Sequence, residues 1–268
     1  MADFSRRRNP FDDGHSSMSL MFVALLAAAP ANHSAVSPLD SHSLSGQTRY
    51  ERCVQLVQRN PGEALNAALS WQGSGGNVGA EHCAALALVS LKRYPEAART
   101  LDQLGHQNFG GAAERASIFD QAGNAWLLAG RGTEAMQSFT SALALSPRDP
   151  DIIADHARAA AMLGDWFAAD HDLSAALVID PYRADMLVLR ASARHALGRM
   201  ADARADLEAA LRIVPNYPDA LVSRGALKLE TGDANGARAD WQTVVTRAPG
   251  SAAGEEARQR LSQMAPAK

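Results

Sequence analysis

Residues 116–147 read ASIFDQAGNAWLLAGRGTEAMQSFTSALALSP, and their pattern recurs three more times at a constant spacing of 34 residues. Four kinds of residue keep this spacing: a glycine, an alanine, a large apolar residue and a proline. They are Gly130, Gly164, Gly198 and Gly232; Ala135, Ala169, Ala203 and Ala237; Phe139, Leu173, Leu207 and Trp241; and Pro147, Pro181, Pro215 and Pro249. Four series in register indicate four copies of one structural unit over residues 116–249.

Each copy predicts two antiparallel helices, A and B. Helix A ends at the glycine, because a left-handed residue is favoured just after a helix. The alanine lets helix B pack closely, and the large apolar residue four positions later lies on the same face. The proline ends helix B. Since one hairpin cannot cover its own apolar face, the copies are expected to stack into an all-α array.

The first copy resembles the tetratricopeptide repeat (TPR). The matching residues are Phe119, Ala122, Gly123 and Trp126 in helix A and Ala135, Phe139, Ala142 and Pro147 in helix B. The later copies lack the aromatic residues of helix A but keep the period. The resemblance implies a right-handed α-solenoid of helix–turn–helix repeats, in which helix A residues line an inner groove that commonly holds peptides.

The predicted solenoid covers residues 48–264. Residues 48–104 hold one degenerate helix pair and one offset repeat, and the loop 105–111 contains a four-residue insertion before the regular repeats. Residues 251–264 predict a final helix, polar enough to cap the end of the stack.

The first 47 residues differ in composition from the repeats. Three arginines, Arg6 to Arg8, precede an uninterrupted apolar run from Leu20 to Ala29, and Ala29-Pro30-Ala31 follows. This order is typical of a secretory signal peptide, here residues 1–31, cleaved after Ala31. Residues 32–47 predict a disordered leader. A flexible tail with an apolar patch and translation from Met18 remain alternatives.

Composition excludes several function classes. The net charge of −3 does not favour a nucleic-acid binder. The apolar run is about half the length of a bilayer span, so no stable membrane span is expected. Phosphate-loop, zinc-protease and nucleophile-elbow motifs are missing from the sequence. We therefore expect no enzyme activity, no metal and no cofactor.

The chain has two cysteines, Cys53 and Cys83. Both fall on the A helices of neighbouring N-terminal pairs, and such helices pack side by side, so a bridge satisfies the geometry. An oxidising compartment would form this disulfide. Two buried free thiols are the alternative.

Two arginine–aspartate pairs are spaced 16 residues apart, and the pairs lie one period apart. They are Arg190 with Asp206 and Arg224 with Asp240. Each arginine occupies a normally buried position of helix A and therefore needs an anion. We interpret them as structural ion pairs; binding of an acidic peptide is the alternative. Whether Arg194 and Lys228 pair with acids of the next repeat or face solvent is left open.

The TPR resemblance implies a set of inner-face positions that line the peptide groove. These are Asp120, Asn124, Leu127, Arg158, Val188, Ser192, His195, Val222 and Leu229. A clamp for two carboxylates needs lysine and asparagine at set places. Asn124 fits, but Asp120 stands where lysine is required, so this clamp is not expected. A solvated inner face without a ligand is the alternative.

The sequence thus predicts a non-enzymatic protein–protein interaction module, an adaptor or scaffold, of the cell envelope. It would be periplasmic or secreted, and its partner would be an extended peptide or a protein loop held in the groove. The alternative is a structural subunit of a larger envelope assembly that uses its convex face or its ends.

Overall fold

The computed structural model describes residues 44–76 and 78–264, which form thirteen α-helices and no strand. The expected all-α fold is confirmed. The predicted signal peptide and residues 32–43 of the predicted leader lie outside the described residues. The first helix begins at Leu44, four residues before the expected start of the solenoid.

The helix boundaries follow the glycine and proline positions of the sequence. The helices are α1 Leu44–Arg59, α2 Pro61–Gly73, α3 Val78–Ser90, α4 Tyr94–His106, α5 Ala112–Leu128, α6 Gly132–Leu145, α7 Pro150–Met162, α8 Trp166–Ile179, α9 Ala184–Ala196, α10 Met200–Ile213, α11 Pro218–Glu230, α12 Ala234–Arg247 and α13 Ala252–Gln263. Two compact units contain them, with a boundary between Ile213 and Val214.

The first unit contains α1 to α10, and each of these helices packs against the next one along the chain. Helices α5, α7 and α9, which are the A helices of three regular repeats, also pack on one another in order. This arrangement of stacked hairpins is a solenoid, and it buries the alanine and large apolar series of the sequence.

The second unit contains the last regular hairpin, α11 and α12, and the terminal helix α13. Helix α13 packs on both helices of that hairpin. Its N-cap is Ser251, whose hydroxyl accepts a hydrogen bond from the Gly254 amide at 3.0 Å.

The turn after each regular A helix requires a glycine. Gly130 has a φ of 70°, and its equivalents in the other three repeats are also left-handed. The Arg131 amide donates to the Trp126 carbonyl at 2.9 Å, which closes the helix end. In the offset repeat Lys92 occupies this place with a φ of 58°.

The side chains of helices A and B in one hairpin are complementary in size where the two helices pack together. A Cβ atom at Gly123 would lie 2.5 Å from the Phe139 ring, and one at Gly225 would overlap the Trp241 indole. The same register holds Ala157 with Leu173 and Ala191 with Leu207, all of them buried. At this position of the four regular hairpins, each aromatic residue of helix B therefore stands opposite a glycine of helix A, and each leucine opposite an alanine.

The N-terminal helix α1 is joined covalently to the array. Cys53 and Cys83 form a disulfide between α1 and α3, with their Cα atoms 6.2 Å apart. Beside it, the Tyr50 hydroxyl lies 2.8 Å from His82 Nδ1, and His82 Nε2 lies 2.8 Å from Gln121 Oε1. Burial lowers the pKa of His82, although the Gln121 hydrogen bond opposes this, and burial raises the pKa of Tyr50 to about 12.

Candidate peptide-binding groove

The nine inner-face positions differ in how much of each side chain reaches solvent. Those that are buried are Asp120, Leu127, Val188, Ser192 and Val222. Asn124, Arg158 and His195 are half-buried, and Leu229 in the second unit is exposed. Within the first unit, the accessible part of the predicted groove is therefore formed mainly by Asn124, Arg158 and His195.

Four polar residues of α5 and α7 form a connected group, which we name the Asp120 cluster: Asp120, Asn124, Asp155 and Arg158. The Asn124 amide nitrogen donates to Asp155 Oδ2 at 2.7 Å and lies 3.5 Å from Asp120 Oδ2. Arg158 Nη1 donates to Asp155 Oδ1 at 3.0 Å. Asp155, which the sequence analysis did not single out, thus holds both accessible side chains of the group in place.

Asp120 is the poorly satisfied member of the cluster. Its side chain is buried, and its Oδ1 atom has no hydrogen-bond partner among the described residues. Burial raises the pKa of the Asp120 carboxyl well above the ordinary value, and the negative charges of Asp155, Asp149 and Asp151 raise it further. The charge of Arg158 lowers the pKa but does not cancel these effects.

The two arginine–aspartate pairs link helix A to helix B within one hairpin. Arg190 donates to Asp206 at 3.0 and 2.7 Å, and Arg224 donates to Asp240 at 2.9 and 2.7 Å. Both aspartates are buried. Each pair therefore lies between the two helices of a hairpin. Its bidentate geometry, with two hydrogen bonds to one carboxylate, favours strong interaction.

Arg194 and Lys228 also contact these carboxylates, so neither faces solvent unpaired. Arg194 donates to Asp206 Oδ2 at 2.8 Å and to Asp170 of the preceding repeat at 2.8 Å. Lys228 Nζ lies 2.9 Å from Asp240 Oδ2. Of the two possibilities that the sequence left open, acids of the next repeat or solvent, neither is found, since these contacts lie within the same repeat or the one before it.

A third pair with the same 16-residue spacing was missed from the sequence. His156 Nδ1 lies 2.7 Å from Asp172 Oδ2, at the positions that Arg190 and Asp206 occupy one period later. His171 Nδ1 lies 3.3 Å from the other oxygen of Asp172. The spacing itself was the signal that could have identified the His156 pair.

Two further features of the described residues concern metal binding and membranes. No three histidine, cysteine, aspartate or glutamate side chains in the described part of the chain are placed to hold a metal ion. Among the described helices, none combines the length and the hydrophobicity that a bilayer-spanning helix requires.

Comparison with solved structures identifies the architecture. A tetratricopeptide repeat protein from Parabacteroides merdae superposes with a TM-score of 0.62 at 19% identity, over 83% of this chain and 85% of that one. The chain has the tetratricopeptide-repeat fold. A thermophilic TPR protein of Thermus thermophilus gives a TM-score of 0.57 at 19% identity, over 69% of this chain and 97% of that one.

A further similar structure is that of a TPR protein with a described peptide-binding site. YrrB, described as a TPR protein with an unusual peptide-binding site, matches with a TM-score of 0.50 and 16% identity, over 71% of this chain and 96% of that one. No protein-family model matches the sequence, and no curated protein matches it. At these identities the TPR structures show the fold of the chain.

Proposed function

We propose that this protein is a non-enzymatic interaction module that binds an extended peptide or a protein loop along the A helices of its first unit. The observation that carries the proposal is the Asp120 cluster. Asn124 and Arg158 are held by buried Asp155 and remain partly accessible at adjacent repeats. Polar side chains fixed in this way lose little conformational entropy when they bind a peptide.

Arg158 is a poor position for testing the groove by charge reversal. A glutamate there would face Asp155, which now accepts the Arg158 hydrogen bond, and would remove the positive charge nearest to Asp120. Loss of binding by such a variant would be mixed with loss of stability. Asn124 is a better choice, because its replacement changes no charge, and thermal melting reports the loss of its hydrogen bond to Asp155.

Display of randomised twelve-residue peptides against the full chain tests the proposal. We expect the recovered peptides to bind wild type and Gln137→Ala equally, since Gln137 is exposed on helix B of the same hairpin. Asn124→Ala should weaken binding by about tenfold, the value of one or two hydrogen bonds. Thermal melting of each variant reports its folding. If the peptides bind Asn124→Ala as strongly as wild type, the binding site does not lie along the A helices.

The alternative, a structural subunit of a larger assembly, is favoured by one exposed surface. Phe167 and Val178 of α8 are 77% and 84% exposed, and Tyr182 just after this helix is 77% exposed. Positions 167 and 178 lie on one side of a helix, because eleven residues make about three turns. If this surface mediates assembly, Phe167→Asp with Val178→Asp should release the protein from its complex in size-exclusion chromatography of cell extracts.

We also propose a location in the cell envelope, on the basis of the N-terminal sequence alone. Residues 1–31 have the order of a signal peptide, and the paired cysteines fit an oxidising compartment. N-terminal sequencing of protein from fractionated cells tests the location. A mature chain that begins at Asn32 in the envelope fraction supports it, and an uncleaved chain in the cytosol contradicts it.

A further inference from the structure

The carboxyl group of Asp120 is held in the middle of α5 without a partner for one of its oxygens. The residue is 8% exposed, and Oδ1 has no hydrogen-bond partner among the described residues. Its other oxygen lies 3.5 Å from the Asn124 amide nitrogen, so the carboxyl group faces a partly accessible member of the Asp120 cluster. A buried carboxylate without donors is costly, and native proteins rarely retain one without a reason.

The charges around Asp120 are mainly negative. Asp149, Asp151 and Asp155 all act on its carboxyl group, and Arg158 is the cation that acts against them. Asp155 already accepts from Arg158 and Asn124, and Asp151 from Arg183. The existing cations are therefore engaged with other carboxylates, and Asp120 is left with the weak contact to Asn124.

This feature belongs to the first regular repeat alone. At the same register, one, two and three repeats later, the chain has Ala154, Val188 and Val222. All three are buried apolar residues, so the fold does not need a carboxyl group here. A small or branched apolar side chain would fill this position at lower cost than an unpaired acid. The structural requirements of the hairpin therefore do not explain Asp120.

We propose that the Asp120 cluster binds a lysine or arginine side chain of the peptide held along α5 and α7. The inference rests on the proposed peptide-binding function and specifies the chemistry of its ligand. The ammonium or guanidinium group supplies the missing donor to Asp120, and Asn124, at the accessible edge of the cluster, is the first polar group that it meets. This preference is opposite in charge to that of a site for carboxylates.

Binding has a consequence for protons. Without a bound ligand, the pKa of the Asp120 carboxyl lies well above its ordinary value even with Arg158 nearby, so the group keeps its proton at pH values above that ordinary pKa. An arriving ammonium group stabilises the ionised carboxylate, so the proton leaves Asp120 for the buffer while the ligand keeps its own protons. Calorimetric titration in two buffers that differ in ionisation enthalpy measures this release directly.

The selected peptides provide the test. We expect a lysine or arginine at one fixed position of the peptides recovered on wild type. A synthetic peptide in which norleucine replaces that residue should bind wild type about tenfold more weakly. Asp120→Asn, which keeps the shape of the side chain, should lose the same factor for the lysine peptide and none for the norleucine peptide. Glu208→Gln, an exposed change on α10, is the control.

The possible outcomes separate this inference from the proposed function. Peptides that depend on Asn124 but have no basic position, or have an acidic one, would overturn the inference and leave peptide binding in place. Equal affinity of wild type and Asp120→Asn for the lysine peptide, with no proton release, would do the same. Recovery of no peptide at all would overturn both.

Discussion

Arg190 donates two hydrogen bonds to Asp206, from Nε at 3.0 Å and from Nη2 at 2.7 Å, and so joins α9 to α10. The contact does not stand alone. Arg194 donates to the same carboxylate and to Asp170, which also accepts from Arg199. One chain of charged groups therefore connects two consecutive hairpins, with Asp206 at its centre.

Loss of Asp206 should destabilise the protein more than loss of Arg190. Asp206→Ala leaves two mostly buried guanidinium groups without this partner and should cost about 3–5 kcal/mol of unfolding free energy. Arg190→Ala leaves Asp206 bound to Arg194 and should cost about 1–3 kcal/mol. Urea unfolding measures both, with exposed Arg204→Ala as the control. Equal, small effects of all three would show that the ion pairs contribute little.

The size match between Gly225 and Trp241 should appear as strong energetic coupling. Gly225→Ala places a methyl group against the indole and should cost about 1–3 kcal/mol. Trp241→Leu leaves a cavity and removes the 3.1 Å hydrogen bond from the indole to the Val222 carbonyl, a loss of about 3 kcal/mol. The double variant recreates the alanine–leucine combination of the middle repeats, so it should be clearly more stable than the sum of the single losses indicates. Additive losses would refute the match.

Reduction of the Cys53–Cys83 disulfide should weaken the N-terminal end of the array. The bond closes a loop with a sequence separation of 30 residues. On the chain-entropy model such a loop is worth roughly 3–4 kcal/mol. Hydrogen exchange, followed with and without reductant, measures this effect. We expect that reduction makes α1 lose its amide protection earlier than α6 does. Alkylation of two cysteines in unreduced protein would contradict the disulfide itself.

His82 should make stability depend on acidity. The folded protein lowers the pKa of His82 below 6.5, so the unfolded chain binds the proton more readily. The stability contributed by neutral His82 is present above pH 6.5 and declines as the pH falls below that value. His82→Gln cannot titrate, so it should be less stable than wild type at pH 8, with the difference shrinking by pH 5. A constant difference over this range would be inconsistent with a buried neutral imidazole.

The contribution of Asp120 to the pH dependence of stability should have the sign opposite to that of His82. The raised pKa means that the folded protein holds a proton that the unfolded chain loses, so stability falls as the pH rises from 3.8 to the folded pKa. Asp120→Asn removes this penalty and should be more stable than wild type at pH 8, with little gain at pH 4. Unfolding curves at the two pH values, with Glu208→Gln as the control, measure the gain. Destabilisation at pH 8 would contradict the unpaired carboxylate.

The sequence was sufficient for the fold because each helix end has a local chemical cause. Gly130 and its equivalents adopt the left-handed conformation, and Pro150 and Pro218 open their helices, so the period alone placed most boundaries within a few residues. The start at Leu44 was missed because a segment rich in serine and histidine gives a weak helix signal. Lys92 at positive φ concealed the usual turn of the offset repeat.

The candidate groove was less accessible to sequence reasoning. A period tells which residues share a register, but it does not tell how deeply each side chain is buried, so Val188 and Ser192 were expected on a surface and lie in the interior. Asp155 was overlooked because its importance depends on contacts with a different helix. The unpaired oxygen of Asp120 depends on the directions of several side chains, which only coordinates provide.

The pairing of glycine with aromatic residues and alanine with leucine sets rules for recombining these repeats. A crossover at Gly130 or Gly164 would combine an A helix with a foreign B helix and would set Ala157 against Phe139, or leave Gly123 facing Leu173. A crossover at Pro147 or Pro181 would move each matched hairpin intact. Chimeras and consensus arrays built from this chain should therefore be joined at the prolines, because the hairpin is the smallest unit that keeps its matched side chains together.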